Sequence, residues 1–306
     1  MSEICPIVNT DRLLLATESS EFSEGAIREA IRLAKRCGSK LTALSVIETN
    51  PEFGAQAPAV LEKMEKEVHA HLDSVKARAK QEGVACETVT YEGEDSYKYI
   101  VDEAVKQKST MIIMGRRGKK GFRRLVMGST TAWTIGHAPC SVMVVPRAAK
   151  VDITSIVVAT DGSKYSADAA SEAIGIAKRN NAKLTVLAVV PADIAMITDI
   201  DFTAIDREKF ADQEMLTAEK NARLVKDAAQ KAGVDVQAFV MTGKPADAIL
   251  EIAKDKSADL VVVGSHGRTG LERLLLGSIA ERVIVMSSCA ALVVKREEKQ
   301  PKPDTK

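Results

Sequence analysis

One pattern occurs twice in the chain: Gly115-x-x-Gly118 followed after nine residues by Gly128-Ser129, and Gly264-x-x-Gly267 followed after nine residues by Gly277-Ser278. These residue types suit an anion. A glycine where a strand ends leaves the backbone open to close approach, because no Cβ stands in the way. A Gly-Ser pair at the head of a helical segment turns the free amides of the first turn, and the serine hydroxyl, toward whatever lies above the strand ends. In an open α/β sheet the ligand crevice lies at the carboxyl ends of the strands, where the chain order reverses. Both features put a phosphate in one place. Glycines that merely make tight turns are the competing explanation, and the same spacing in both copies weakens it.

Upstream, an acid closes the first apolar run of each copy: Glu18 in Ala16-Thr-Glu-Ser and Asp161 in Ala159-Thr-Asp-Gly-Ser. At the carboxyl end of a first strand either would face a ribose hydroxyl across the crevice. A turn or N-cap carboxylate is the commoner role of Asp before Gly-Ser, and stays open. Catalytic sets are harder to find. The chain has no G-x-x-x-x-G-K-[ST], no G-x-G-x-x-G and no G-x-S-x-G. His69, His71, His137 and His266 make no metal spacing, since His69 and His71 do not share a helix face. His266 lies inside the second glycine loop, where it would reach a phosphate or simply face solvent. With no nucleophile and base paired in any local motif, binding without fast chemistry fits best. Arg116, Arg117, Lys119, Lys120, Arg123 and Arg124 crowd the first loop, against Arg268 and Arg273 in the second. Only Phe122 interleaves them and aromatic residues are 4% of the chain, so a solvated, phosphate-attracting loop is favoured over a nucleic-acid contact.

Self-similarity extends to the elements that must hold these loops. Residues 111–118 reappear at 260–267 and Cys140 at Cys289, 149 positions on. Ala16-Thr17 and the apolar set Ile27, Ala30, Ile31 and Ala34 reappear 143 positions on, as Ala159-Thr160 and Ala170, Ala173, Ile174 and Ala177. A net insertion of six residues is therefore expected within 191–212. Short apolar runs alternate with segments of helical period, the mark of βαβ units and a parallel sheet. Strands are expected at 13–16, 41–47, 86–91, 111–114 and 142–145, and again at 156–159, 184–190, 234–240, 260–263 and 291–294. The third of each copy is expected at a sheet edge, because it alternates in the second copy; the others are nearly continuous aliphatic runs, as helices on both faces require. Ser23 and Ser166 are expected to N-cap the first helix of each copy, and Gly38 to end the first. Two domains follow, 1–148 and 149–306, joined by a short charged stretch at 147–152, with a polar tail from Arg296 expected to be disordered.

Composition sets the broad class. A chain of 306 residues, 45% hydrophobic and 28% charged, can bury two cores. A net charge of +1 gives no field to draw the whole molecule onto nucleic acid or lipid. No apolar run reaches the length of a membrane span, and the amino terminus lacks the basic and apolar stretches of a signal peptide. Five cysteines without a C-x-x-C pair argue for a reducing compartment and against a disulfide framework or zinc cluster. A cytoplasmic location is expected, with no membrane partner.

On these residues the chain resembles the universal stress protein family in its tandem form, from about Asp11 to Lys295. The most specific mark is Gly-x2-Gly-x9-Gly-[Ser/Thr], intact twice, with Asp161-Gly162-Ser163 in support. The resemblance implies two tandem doubly wound α/β domains, each a five-stranded parallel sheet of order 3-2-1-4-5 flanked by helices. It implies ATP, with Mg, as ligand. It also implies association through the fifth strands, as a homodimer or an intrachain pseudo-dimer, with other proteins as further partners. By position, Asp161 and Gly264 would touch ribose, as would Glu18 and Gly115 in the first copy. Gly267, Gly277 and Ser278 would hold the phosphates, with Gly118, Gly128 and Ser129 in the first copy. The backbone of Val46 and Val189 would read adenine. Glu18 departs from the family's Asp. The function expected is a stress-response protein whose ATP occupancy modulates self-association or partner binding. A slow ATPase or nucleotidyl-transfer enzyme, or an interaction module with vestigial loops, are the alternatives.

Overall fold

Aliphatic runs that are apolar on both faces must be covered from both sides, and helices do so throughout this chain. The computed structural model describes residues 5–7, 10–116, 127–192, 204–268 and 276–295, with 204–210 described by their backbone alone. The first half runs β1 (Arg12–Ala16), α1 (Glu24–Cys37), β2 (Lys40–Glu48), α2 (Pro51–Gln56), α3 (Pro58–Gln81), β3 (Cys86–Gly93), α4 (Ser96–Lys106), β4 (Met111–Gly115), α5 (Ser129–His137) and β5 (Ser141–Val145). The second runs β6 (Ser155–Ala159), α6 (Lys164–Asn180), β7 (Lys183–Pro191), α7 (Ala204–Lys231), β8 (Val236–Gly243), α8 (Pro245–Asp255), β9 (Leu260–Gly264), α9 (Ser278–Met286) and β10 (Ala290–Val294).

All ten strands lie in one sheet of order β3-β2-β1-β4-β5-β10-β9-β6-β7-β8. The first half thus has the order 3-2-1-4-5, and the second repeats it from the opposite end. Pairing is parallel within each half; β5 and β10 pair antiparallel, with Met143 opposite Leu292. The intrachain form of fifth-strand association is the one observed, and β3 and β8 are left as the sheet's outer edges, where alternation had placed the third strands. Along β1, Leu13 and Leu15 face one core with Ile27 and Ala30 of α1 and Leu72 of α3. Leu14 and Ala16 face the other, with Ile100 of α4 and Ile135 of α5. Each core contains residues of both halves, so the hydrophobic layer runs unbroken beneath the seam. Ile112, Ile113 and Leu14 are fully buried, and truncating any of them to Ala should cost about 2–5 kcal/mol.

Polar contacts across the seam are reciprocal. Arg116, just past β4, donates through Nη1 to the Ser287 carbonyl at the end of α9, 2.8 Å away. Lys295, just past β10, donates through Nζ to the Gly136 carbonyl at 2.6 Å and to the Ala138 carbonyl at 3.3 Å, closing the carboxyl end of α5. Each half therefore supplies a cation to orphan carbonyls at a helix end of the other, where the helix dipole favours positive charge. Arg32 also pairs with Asp152 at 2.6 Å, tying α1 to the connection between the halves.

Four local expectations change. Ser23 stands at the amino end of α1 without a side-chain cap bond, because its hydroxyl accepts from the Glu18 amide at 3.2 Å. Ser163, and not Ser166, caps α6, accepting from the Ser166 amide at 3.2 Å. The strand expected at 234–240 begins only at Val236. The argument against disulfides does not hold for one pair: Cys5 and Cys37 are joined, a contact invisible to spacing because folding brings together residues 32 apart. Gly38 does end α1 in the left-handed conformation. The insertion expected within 191–212 falls largely on residues 193–203, outside the described residues, as do the tail from Arg296 and five of the six cations of the first glycine loop. Among the described residues no helix is long and apolar enough to cross a membrane.

Burial pushes the Lys295 ammonium down from 10.5 to about 8. Over that interval the unfolded chain holds a proton that the folded chain has released, so this group's contribution to stability is lost as pH falls through about 8 and is fully present above 10.5. Urea unfolding of the wild type and of Lys295→Met between those two pH values should show the variant lacking a stabilising rise of at most about 3 kcal/mol. Parallel curves for the two proteins would contradict this assignment.

Candidate functional site

The second half builds its crevice from four segments that meet at the carboxyl ends of β6, β7 and β9. Beyond β6, Thr160 extends the parallel ladder by donating its amide to the Leu187 carbonyl at 2.9 Å. The chain then turns at Gly162, whose φ of 81° suits glycine and whose missing Cβ leaves room for the side chain of Asn221. Asp161 directs this turn. Its Oδ1 accepts from the Ser163 amide at 2.9 Å, an Asx turn, and its Oδ2 accepts from the Arg268 amide at 2.8 Å. One carboxylate therefore both shapes the β6–α6 turn and ties it to the glycine loop.

The loop after β9 is held at both ends. At its start Gly264 packs so tightly on the first turn of α6 that a Cβ would lie 2.7 Å from the Tyr165 carbonyl carbon. Helix packing, more than ligand approach, demands glycine there. At its far end the Gly277 amide donates to the Ser265 carbonyl at 2.9 Å. This places Gly277 as the residue before α9, with Ser278 exposed at the first helical position. His266 is half-buried, its Nδ1 3.1 Å from Ser265 Oγ and its ring tilted against Tyr165 at 5.2 Å.

A small cleft lies between these loops and α7. Thr160, Asp161, Val189 and Arg268 line it from the strand ends, and Glu214, Thr217, Ala218 and Asn221 from α7. Arg268 Nη2 donates to Glu214 Oε2 at 2.8 Å, so a side-chain ion pair joins α7 to the glycine loop across the cleft. Burial pushes the Asp161 carboxyl up, but hydrogen bonds from Ser163, Ser166 and the Arg268 amide outweigh it and hold the group below its ordinary value. The Glu214 hydrogen bond likewise keeps Arg268 firmly protonated. The cleft thus contains a fixed carboxylate, a guanidinium held by a second carboxylate and a strand-end backbone at Val189.

In this half Gly267 lies against the Asp161 carboxylate, Gly277 lies next to Gly267, and Val189 lines the cleft with Asp161, while Gly264 opens the same loop. The α7 wall was missed. Glu214, Thr217 and Asn221 follow the helical spacing i, i+3, i+7 on the same side as the buried Ala218 and Ala222, and polar residues so placed within a buried face are a signal readable in the sequence.

In the first half, Gly128 donates to the Arg116 carbonyl at 3.2 Å, closing the loop as Gly277 does, and Ser129 is exposed at the start of α5. Gly115 is buried, its carbonyl accepting from Thr131 Oγ1 at 3.2 Å. Gly118 lies outside the described residues. Val46 is half-buried late in β2. Glu18 Oε1 accepts from the Ser20 hydroxyl at 2.8 Å, a local turn contact. In the register that aligns Gly83 with Gly233, His71 stands where Asn221 does, its Nε2 3.0 Å from Thr17 Oγ1. Among the described residues the two crevices therefore share the closing bond of their loops and differ in their helical walls.

Two doubly wound halves fused edge to edge, each with a closed glycine loop at its strand ends, define a tandem α/β protein with two crevices. The sequence matches the Universal stress protein family over residues 9–146 and again over 153–295, and the chain belongs to that family. It is 42% identical over 149 residues to Universal stress protein MJ0531 of Methanocaldococcus jannaschii, across 47% of this chain and 84% of that protein. It is 33% identical over 144 residues to Universal stress protein YxiE of Bacillus subtilis, across 46% of this chain and 97% of that protein. In structure it is similar to a universal stress protein from Archaeoglobus fulgidus, with a TM-score of 0.73 at 21% identity over 96% of this chain and 99% of that one, a likeness of fold.

Because the folded Asp161 titrates below its ordinary value of 3.8, its contribution to stability is present above that value and is lost as pH falls through the lower, folded one. Asp161→Asn should lower the unfolding free energy at neutral pH by about 1–2 kcal/mol, with the difference from wild type closing in strong acid. Denaturant melts of both proteins along a pH series measure this; equal stabilities at neutral pH would show that Asp161 does not hold the loop.

Proposed function

We propose that each half binds a nucleoside triphosphate, ATP with Mg as counter-ion of its phosphates, and that occupancy modulates association of the protein with itself or with other proteins. The single observation that carries this reading is the meeting of Asp161, Val189 and Arg268 at one cleft beyond the strand ends, with Gly267 against the Asp161 carboxylate and Gly277 next to Gly267. The groups fit such a ligand by kind. Asp161 has acceptor capacity for ribose hydroxyls, the β7 end at Val189 offers backbone to a base edge, and the heads of α5 and α9 offer amides to phosphate, with Ser129 and Ser278 beside them. Glu18 and Gly115, with Val46, Gly118 and Gly128, take the same parts in the first half; Gly264 sets the position of the second loop. Membership of the universal stress protein family agrees with a role in stress response.

Coupling to association follows from where the proposed phosphate sites lie. Trp133 on α5, and Ile279 and Met286 on α9, are large apolar side chains exposed by 41–44%. Each rides on a helix whose first residue belongs to a proposed phosphate site. A ligand that orders the head of either helix would alter the apolar surface offered to a partner.

The second site is the tighter of the two in this reading, because the Arg268 amide fixes Asp161 against the glycine loop, whereas Glu18 turns its Oε1 to Ser20 within its own turn. A charged acceptor for ribose is worth about 1.5–3 kcal/mol, roughly ten- to a hundredfold in affinity. Calorimetric titration of ATP into the full chain should resolve two affinities. Gly277→Val should abolish the tighter; its Cβ would sit 3.4 Å from His266 Cα and Ser265 O, close enough to crowd the amides yet compatible with folding. Gly128→Val should abolish the weaker. Glu214→Gln should tighten the second site several-fold by releasing Arg268 to the phosphates, and Arg268→Gln should weaken it. Wild-type affinities in a folded Gly128→Val, Gly277→Val double variant would sink the proposal.

A further inference from the structure

The amino-terminal strap crosses the seam between the halves. Ile7 is 1% exposed and packs with Leu33 of α1, Met143 of β5, and Val151 and Ile153 of the connection. The Pro6 carbonyl accepts from Asn180 Nδ2 at 2.8 Å, and Asn180 is the last residue of α6 in the second half. A disulfide from Cys5 to Cys37, the last residue of α1, fastens the strap to the first half. The strap thus bears on both halves, with its covalent anchor at Cys5.

We propose that Cys5–Cys37 is a reversible thiol–disulfide exchange site that locks this strap across the seam when oxidised and releases it when reduced. Both cysteines are half-exposed, as is Cys140, so a thiolate from solvent can reach them, whereas Cys86 and Cys289 are buried and burial pushes both of those thiols up. The two sulfurs are chemically unequal. Cys5 Sγ lies 3.0 Å from Thr10 Oγ1, whose hydroxyl can donate to a thiolate. Cys37 ends α1, where carbonyl dipoles oppose negative charge. The Ile7 carbonyl, 3.0 Å from Cys5 Sγ, and the basic Lys35 and Arg36 beside Cys37 act the other way, so either sulfur can leave; with Cys5 leaving, exchange runs in two steps. A thiolate of a small dithiol attacks Cys37 Sγ, the Cys5–Cys37 bond breaks, and Cys5 departs as a thiolate that takes a proton from water. The second thiolate of the reagent then attacks the reagent's own sulfur in the mixed disulfide and expels Cys37, which is protonated in turn. The protein gains two electrons and two protons, and the dithiol leaves as its cyclic disulfide. An oxidised dithiol reverses each step. In the reduced form the Cys5 S–H has acceptors at hand in the Ile7 carbonyl and Thr10 Oγ1, each 3.0 Å from the sulfur, and the strap is held by Ile7 and the Asn180 bond without its covalent anchor.

The test uses the full chain equilibrated in oxidised or in reduced dithiothreitol, quenched in acid, alkylated under denaturing conditions and weighed. Three labelled cysteines are expected in the oxidised sample and five in the reduced one, with Cys5 and Cys37 accounting for the difference. Amide exchange on parallel native aliquots, taken before the quench, should be about tenfold faster in the reduced protein for the peptide holding Cys5 and Ile7, with β1 and β4 unchanged. Cys37→Ser should exchange like the reduced wild type in both buffers. Five labelled cysteines in the oxidised buffer would remove the site. Equal exchange of the strap in the two wild-type samples would remove the lock without any variant having to fold.

Discussion

The antiparallel pairing of β5 with β10 is the constraint on which the rest of this structure depends. A fifth strand at the edge of a five-stranded sheet exposes a row of unpaired amides and carbonyls and invites pairing. Here each half supplies the partner for the other, so two edges vanish at once and both hydrophobic cores become continuous across the seam. The geometry of the crevices follows. Within a half all strands are parallel, and the halves run in opposite directions, so the two crevices open at opposite ends of the strands. Neither can share a ligand with the other.

The same antiparallel arrangement brings each crevice against the opposite half. Strand ends that root a glycine loop in one half lie beside the helix that leads into the fifth strand of the other. Arg116 follows directly on Gly115 and ends at the α9 carbonyls, while Lys295 reaches the end of α5. One guanidinium and one carbonyl thus join the root of the first loop to the end of α9, the helix that follows the second glycine loop, with a second cation beside the fifth strands.

Much of this was legible in the residues. Continuous aliphatic runs mark the inner strands because both faces must be dry, and alternation marks β8 as an edge because one face is wet. The closed glycine loops were legible because their spacing is repeated in two copies. Other features depend on contacts between distant segments, which periodicity does not carry. Ser23 has cap chemistry, but a nearer amide claims its hydroxyl. Its position in the sequence suits Asp161 to either a ribose contact or a turn carboxylate; in the fold it makes an Asx turn and a loop tether, and the proposed ligand contact must be made beside them. The Cys5–Cys37 link and the Glu214–Arg268 pair join segments 32 and 54 residues apart, and only the fold makes them neighbours.

The central claim is that the carboxyl-side crevices are nucleotide sites and the seam is structural. It is tested most directly by following backbone amide resonances of the full chain as ATP and Mg are added. The account predicts saturable shifts at Asp161, Val189, Gly267, Gly277 and Ser278, with their first-half counterparts moving at higher concentration, while the amides of β5 and β10 at the centre of the sheet hold still. Shifts absent from both glycine loops at saturating ATP, or centred on the seam, would contradict it.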